Sequence, residues 1–371
     1  MKRFGFIIFI LITLFTLTQI LRSPLAIRSY QQRFLLGLDG FRSHSVSLKK
    51  NVLQDSVEIR YVAGGFGPPI VLIHGLIDNK EAWSDVLPVL GKNHRVIAVD
   101  LPGHGESEPQ YGPVSIELLL DGIHTIIQKE SQIAEKVIKQ LERKQDKGQQ
   151  ISRENRSILT AEEQLQINTD FSKLVLVGHG LGAWLVSEYS LQHPENIKQV
   201  FLVNPQGSNI GIVEDKIIPT TESQIANKMQ HVFGREIWLP NFVVRDLLLR
   251  HEKSSYRDLF NESLSLLPLE KYIGSFDLPV SELQKQQGKE GTQEKSQNSN
   301  VNAMEYKDDR KIAIDIIWGE PDEIFDKEMH GTTLASQSPS FIIHPLQNCG
   351  HAPQYGCPVI LSKKIEQLLE E

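Results

Sequence analysis

Cysteine is scarce in this 371-residue chain: only Cys349 and Cys357 are present, too few for a disulfide-dense scaffold or a four-cysteine zinc site. A basic excess is missing too. With 39 basic against 46 acidic side chains the formal charge is −7, which leaves no electrostatic footprint for nucleic acid. Only one long apolar run occurs, Phe4 to Leu21, so the chain is not a polytopic membrane protein. No internal repeat is visible, which argues against a solenoid or propeller. The apolar content is 40%, more than a disordered chain carries. What remains is a globular chain, long enough for two ordinary domains or one large α/β domain.

The apolar run has Lys2 and Arg3 before it and Arg22 after it. Eighteen helical residues at about 1.5 Å each reach about 27 Å, just enough to cross a bilayer. The residues that follow, Arg22, Ser23, Pro24, Leu25 and Ala26, make a poor signal-cleavage site. Residues 1–30 are therefore expected to be a single-pass N-terminal membrane anchor; the alternative is a cleaved signal and a secreted or periplasmic product. Two polar tracts interrupt the rest. In residues 131–168, 13 of 38 positions are charged and 7 are glutamine, which predicts an exposed helical extension and loop. Residues 284–300 contain no apolar side chain, so burial cannot offset their ordering entropy, and a flexible loop is expected.

Between the tracts, Ile70–Ile73, Arg95–Asp100, Lys173–Val177, Gln199–Val203 and Ile312–Trp318 are short runs rich in Val, Ile and Leu. Strands apolar on both faces belong to a parallel sheet covered by helices on both sides. Helical patterns fall where crossovers are needed, at Ser115–Glu130, Leu181–Gln192 and Pro358–Leu369. The expected architecture is a doubly wound, mostly parallel α/β sheet over residues 45–371. A helical cap is expected at about 206–283, where helical periodicity continues and strand signals are few. Ligands of such sheets sit beyond the carboxyl ends of the strands.

Those strand ends read His74-Gly75-Leu76, Asp100-Leu101-Pro102-Gly103-His104-Gly105, Gly178-His179-Gly180-Leu181-Gly182, Gly319-Glu320-Pro321-Asp322 and Gly350-His351-Ala352-Pro353. In this order and spacing they resemble the α/β-hydrolase superfamily, in particular capped bacterial lipases and esterases of the monoglyceride-lipase type. The resemblance implies an α/β-hydrolase fold, a small acyl or ester-type ligand under the cap, and no cofactor or metal. It implies His351 as general base, Asp322 as its orienting partner, and the backbone N–H groups of Leu76 and Leu181 as an oxyanion hole. It departs from the family at one position. The elbow is Gly-x-Ser-x-Gly in the family, and its nucleophilic serine is replaced here by Gly180.

A glycine keeps the tight strand-to-helix turn but offers no oxygen to attack a carbonyl, so no acyl-enzyme forms at residue 180. Three readings stay open: a pseudoenzyme that binds a ligand or partner under the cap, an ester hydrolase with a rescued or engineered elbow, and nucleophile-independent chemistry by the His–Asp pair. Ser187 and Cys349 are the nearest candidates for a substitute nucleophile. Gly178-x-Gly180-x-x-Ala183 also matches a dinucleotide fingerprint, a weak signal because the motif normally follows the first strand of its fold. His74 and His104 read as turn histidines, His179 as a packing residue, and Asp100 as the tie of the glycine-rich turn after it. Trp83, Trp184 and Trp238 read as core or cap packing. Cys349 and Cys357 read as buried thiols or as a disulfide, since eight residues of separation permits closure. No protein partner is indicated.

Overall fold

A computed structural model of the protein describes residues 24–49, 56–107, 114–146, 169–205, 214–251, 256, 259–261, 273–293, 310–338 and 341–371. One eight-stranded sheet is built from β1 (Arg42–Lys49), β2 (Ser56–Gly64), β3 (Pro69–Ile73), β4 (Arg95–Val99), β5 (Leu174–His179), β6 (Ile197–Val203), β7 (Ala313–Glu320) and β8 (Ile342–Gln347). Their spatial order is β1-β2-β4-β3-β5-β6-β7-β8. From β4 to β8 every neighbouring pair is parallel, and β2 runs antiparallel to both β1 and β4.

The predicted strands β3, β4 and β5 are buried along their whole length because successive side chains enter two different cores. Val71, Ile73, Ile97, Val99, Leu174 and Leu176 pack on one face of the sheet. Ile70, Leu72, Val96, Ala98, Val175 and Val177 pack on the other. Each aliphatic side chain so buried contributes about 1.5–3 kcal/mol. The principal helices are α1 (Pro24–Leu38), α2 (Ile116–Asp146), α3 (Leu181–Gln192), α4 (Glu222–Phe233), α5 (Asn241–His251), α6 (Val280–Gln293) and α7 (Pro358–Glu370). Ile123 and Ile126 of α2 and Leu185 of α3 close the first core. Leu361 and Ile365 of α7 close the second. Between β6 and β7 the described residues form helices and turns only; α4 and α5 are the longest elements of this cap before α6.

Three strands escape the sequence reading because they lack a continuous apolar run. β1 and β8 lie at the sheet edges and consist mostly of exposed and half-buried positions, and β2 mixes Glu58 and Arg60 with Ile59 and Tyr61. Pro345 in β8 is tolerated at an edge, where its missing N–H breaks no ladder on the outer side. The expected loop at 284–300 needs correction: α6 extends through Gln293, held at its start by buried Val280 and Leu283, and its Gln, Lys and Glu residues favour helix. Residues 294–300 lie outside the described residues. So do 147–168 of the other polar tract, whose first part is the end of α2.

The apolar run Phe4–Leu21 also lies outside the described residues, and among those described no helix is long and apolar enough to cross a membrane. Residues 24–30, assigned to the anchor by sequence, form the start of α1. This helix packs against α5, buries Leu36 and pairs Arg33 with Glu106.

Candidate active site

The glycine run at the end of β5 is shaped by contact between backbones. A Cβ on Gly178 would lie 2.1 Å from the Gly182 carbonyl oxygen, and one on Gly182 would lie 2.4 Å from the Ile73 carbonyl oxygen. Both positions therefore require glycine for α3 to approach β5 and β3. Gly180 between them differs. Its backbone sits at φ +55°, ψ −116°, a region strained for any residue with a side chain. Yet the nearest heavy atom to a Cβ there, Gly75 Cα, is 3.9 Å away. The elbow geometry is complete and its centre has room for a side chain.

Asp322 and His351 are brought together from the loops after β7 and β8. His351 Nδ1 donates to Asp322 Oδ2 at 2.8 Å. The same oxygen accepts from Asn204 Nδ2 at 2.8 Å, and Asp322 Oδ1 accepts the backbone N–H groups of Ile324 and Phe325, each at 2.9 Å. Burial pushes this carboxyl up, but His351 beside it and these donors prevail and hold it below the usual carboxylate range. An ionised acceptor on Nδ1 fixes the tautomer and leaves Nε2 of His351 as the basic nitrogen.

His179 links the elbow to this pair: its Nε2 lies 3.0 Å from the His351 carbonyl oxygen and its ring 4.9 Å from the His351 ring. Burial, and after it His351, push the His179 imidazole down to about 3, so it is neutral at neutral pH. The cap reaches the same loop, since the backbone N–H groups of His351 and Ala352 donate to the carbonyls of His231 and Val232 in α4. Cys349 and Cys357 form a disulfide that closes the segment carrying His351.

The remaining histidines and Asp100 build the loops around the elbow. His74 Nε2 accepts the Leu101 N–H at 3.1 Å, and its Nδ1 lies 2.7 Å from the Gly75 carbonyl. His104 Nε2 lies 2.7 Å from the Leu76 carbonyl and holds that peptide in place. Asp100 accepts the backbone N–H groups of Lys80 and Glu106 and pairs with the Lys80 ammonium. A Cβ on Gly105 would lie 2.5 Å from the Asp100 carboxylate, which accounts for the glycine there. Among the described residues no cluster of three His, Cys, Asp or Glu side chains could hold a metal ion.

Gly180, Leu76, Leu181 and His351 line one cavity of about 500 Å³, which Met229, Val232, Phe233, Val243 and Phe325 render largely apolar. Neither substitute nucleophile is available to it. Ser187 is buried within α3 and its hydroxyl donates to the Ala183 carbonyl, while the Cys349 sulfur is held in the disulfide. Trp83 and Trp184 are buried, but Trp238 is 85% exposed, contrary to its reading as a packing residue. Residues the sequence reading left out also matter. Asn204 anchors Asp322 from the end of β6, and Asp78, Lys228 and Tyr355 line the cavity. Asn204 follows β6 directly, a positional signal that would have marked it.

The family model for the alpha/beta hydrolase fold matches residues 68–356. An uncharacterised Mycobacterium tuberculosis protein is 24% identical over 174 residues, 45% of this chain, which thus spans about 40% of that relative's length. The human monoacylglycerol lipase ABHD6 is 23% identical over 309 residues, covering 78% of this chain and 71% of that protein. A crystal structure of a membrane phospholipase A, described as a bacterial virulence factor, superposes with a TM-score of 0.63 at 19% identity, covering 100% of this chain and 98% of that one.

Proposed function

The chain belongs to the alpha/beta hydrolase fold family, and on that premise we propose that it is a membrane-tethered relative of ester hydrolases that binds an acyl or ester-type ligand under its cap, with serine-type hydrolysis lost at the elbow. One observation carries the reading. The cavity holds an oriented His–Asp pair next to an elbow whose centre is glycine, and the two candidates for a substitute nucleophile, Ser187 and Cys349, are committed elsewhere. In this reading His351 Nε2 is the base, Asp322 orients it, and the N–H groups of Leu76 and Leu181 face the ligand carbonyl. The tether is supported by the apolar run Phe4–Leu21 directly ahead of α1. It is supported further by an exposed apolar stripe on α1, with Tyr30, Phe34 and Leu38 at helical spacing and Leu35 beside them.

The intact pair favours one second reading, proton abstraction by His351 without a nucleophile, because a scaffold freed from chemistry has no physical need to hold Asp322 with four donors. Ester assays separate the readings. The full chain in detergent is given short and medium acyl esters, alone and as Gly180→Ser and His351→Ala. Slow turnover by the native chain and a large gain in Gly180→Ser are expected. Rapid turnover by the native chain, abolished in His351→Ala, overturns the loss of hydrolysis. A folded but inactive Gly180→Ser protein overturns the assignment of the cavity to esters.

A further inference from the structure

The cavity wall carries a nucleophile of another kind, a lysine amine. Lys228 of cap helix α4 lines the cavity, as do the apolar side chains of Ile217, Met229 and Val232, and its nitrogen donates to the Ile217 carbonyl at 2.6 Å. Asp78, from the loop after β3, and Tyr355, from the Pro353–Gly356 turn, line the same cavity. That turn packs against both α4 and the Lys80–Trp83 turn, so the three residues come from touching elements. The Tyr355 hydroxyl donates to Asp78 Oδ1 at 2.7 Å, and the Asn79 N–H donates to the same oxygen at 2.9 Å. Burial pushes the Lys228 ammonium down to about 7 against the pull of the Asp78 charge, and pushes the Asp78 carboxyl up to about 7 against its hydrogen bonds from Tyr355 and Asn79. Near neutral pH about half of the Lys228 amines are therefore uncharged, where an ordinary lysine keeps fewer than about one in 10³ in that form.

From this constellation we propose that Lys228 captures an apolar aldehyde as an imine, with Asp78 as the acid that expels water and Tyr355 and Asn79 holding that acid in place. A desolvated lysine amine attacks carbonyl carbon, and a neighbouring carboxylic acid carries the protons that the attack displaces. The Lys228 nitrogen bonds to the aldehyde carbon, and a proton passes from nitrogen to the carbonyl oxygen to give a carbinolamine. Asp78 then protonates the hydroxyl, the C–O bond breaks, water leaves, and the nitrogen lone pair closes the C=N bond. The proton left on nitrogen returns to the Asp78 carboxylate. One amine and one aldehyde thus give one imine and one water, with nothing oxidised or reduced. An aldehyde is the class that fits a reversible capture, because an ester attacked by the same amine expels its alcohol and leaves a permanent amide. Several charged groups of the wall are already paired, Arg33 with Glu106 and Arg250 with Asp246, so the aliphatic lining receives the chain. The capture uses neither residue 180 nor the hydroxyl missing there, so it stands or falls apart from the ester reading.

Reductive trapping tests this on the native protein. The full chain in detergent at neutral pH is incubated with octanal and cyanoborohydride, which reduces an imine to a stable secondary amine, and its peptides are mapped by mass spectrometry. Lys228 is expected to take the octyl label at least about 10-fold faster than the exposed Lys92 and Lys363, because far more of its amine is uncharged. Excess 1-octanol is expected to protect Lys228 and to leave the two reference lysines unchanged. In Lys228→Arg the fast phase of label uptake by the whole chain is expected to vanish. Asp78→Asn is expected to slow the labelling of Lys228 by at least about 10-fold, the lower end of what a positioned acid contributes, with protection by octanol retained. Mapping of the native chain needs no variant and decides the matter where a variant fails to fold. Labelling of Lys228 no faster than of the reference lysines overturns the capture. So does a lack of protection by octanol, which places the reactive amine outside the cavity, or a fast phase that persists in Lys228→Arg. An unchanged rate in a folded Asp78→Asn chain overturns Asp78 as the acid.

Discussion

The elbow and the His–Asp pair are neighbours in one cavity, yet they are built to different degrees. At the pair, both oxygens of Asp322 and Nδ1 of His351 are engaged, and the pair is tied to β6 through Asn204 and to the cap through His231 and Val232. At the elbow the turn, its φ of +55° and its two crowded flanking glycines are all present, while a Cβ at the central position would have no neighbour nearer than 3.9 Å. The difference teaches that scaffold and reactive atom are separable. Backbone packing maintains the turn whether or not a hydroxyl stands on it, because the contacts that shape it are made by residues 178 and 182.

That separation breaks most visibly at residue 180. Gly180→Ser is expected to raise ester turnover by about 10³-fold or more, within the loss of about 10⁶-fold that removing a triad serine causes in a studied protease; kcat in the ester assay reads it. No gain in a folded variant would mean that the pair and elbow no longer act as one unit. In the Gly180→Ser background, Asp322→Asn is expected to remove most of that gain, since a misplaced tautomer costs about 10⁴-fold in a comparable triad. A loss under about 10-fold would show that Asp322 merely packs.

Stability sharpens the same comparison. Gly178→Ala and Gly182→Ala force a methyl against backbone oxygens and are expected to prevent folding or to cost well over about 3 kcal/mol by denaturant unfolding. Gly180→Ala meets only the strain of its φ and is expected to cost about 1–3 kcal/mol. Equal costs at the three sites would remove the distinction. Replacing both Cys349 and Cys357 by serine opens the loop that carries His351. The expected cost is about 2–3 kcal/mol of stability, with a lower Tm and no change in the elbow.

The remaining prediction concerns His179, which joins the two regions. Its folded pKa, about 3, lies below the unfolded value, so the folded state binds fewer protons between them. Its contribution is fully present above about 6.5, declines as pH falls and is lost as pH drops through about 3. His179→Gln is expected to flatten the stability profile in that window, and an unchanged slope would show that other groups set it.

How much of this could be read from the chain depends on how local each signal is. The five apolar runs announced the central strands because a strand buried on both faces must be apolar at every position. β1 and β8 carried no such run, since each has an edge at the solvent, and in β2 the exposed first half with Glu58 and the half-buried Arg60 interrupt it. Gly180, Asp322 and His351 stood out by their places after strands. Lys228 did not, because a lysine on a cap helix looks like any surface lysine until the cap folds over the sheet.

Sequence alone determined the fold class, the glycine at residue 180 and the presence of a single long apolar run, since these depend on residue type and order along one segment. Tertiary structure decided the rest. It joined Cys349 to Cys357, aligned Asp322 with His351 from two loops, and spent the Ser187 hydroxyl inside α3. It also gathered Asp78, Lys228 and Tyr355, separated by up to 277 residues, in one wall. Chemistry across such separations is governed by distances of about 3 Å, which strand order and helix packing set and which no local pattern encodes.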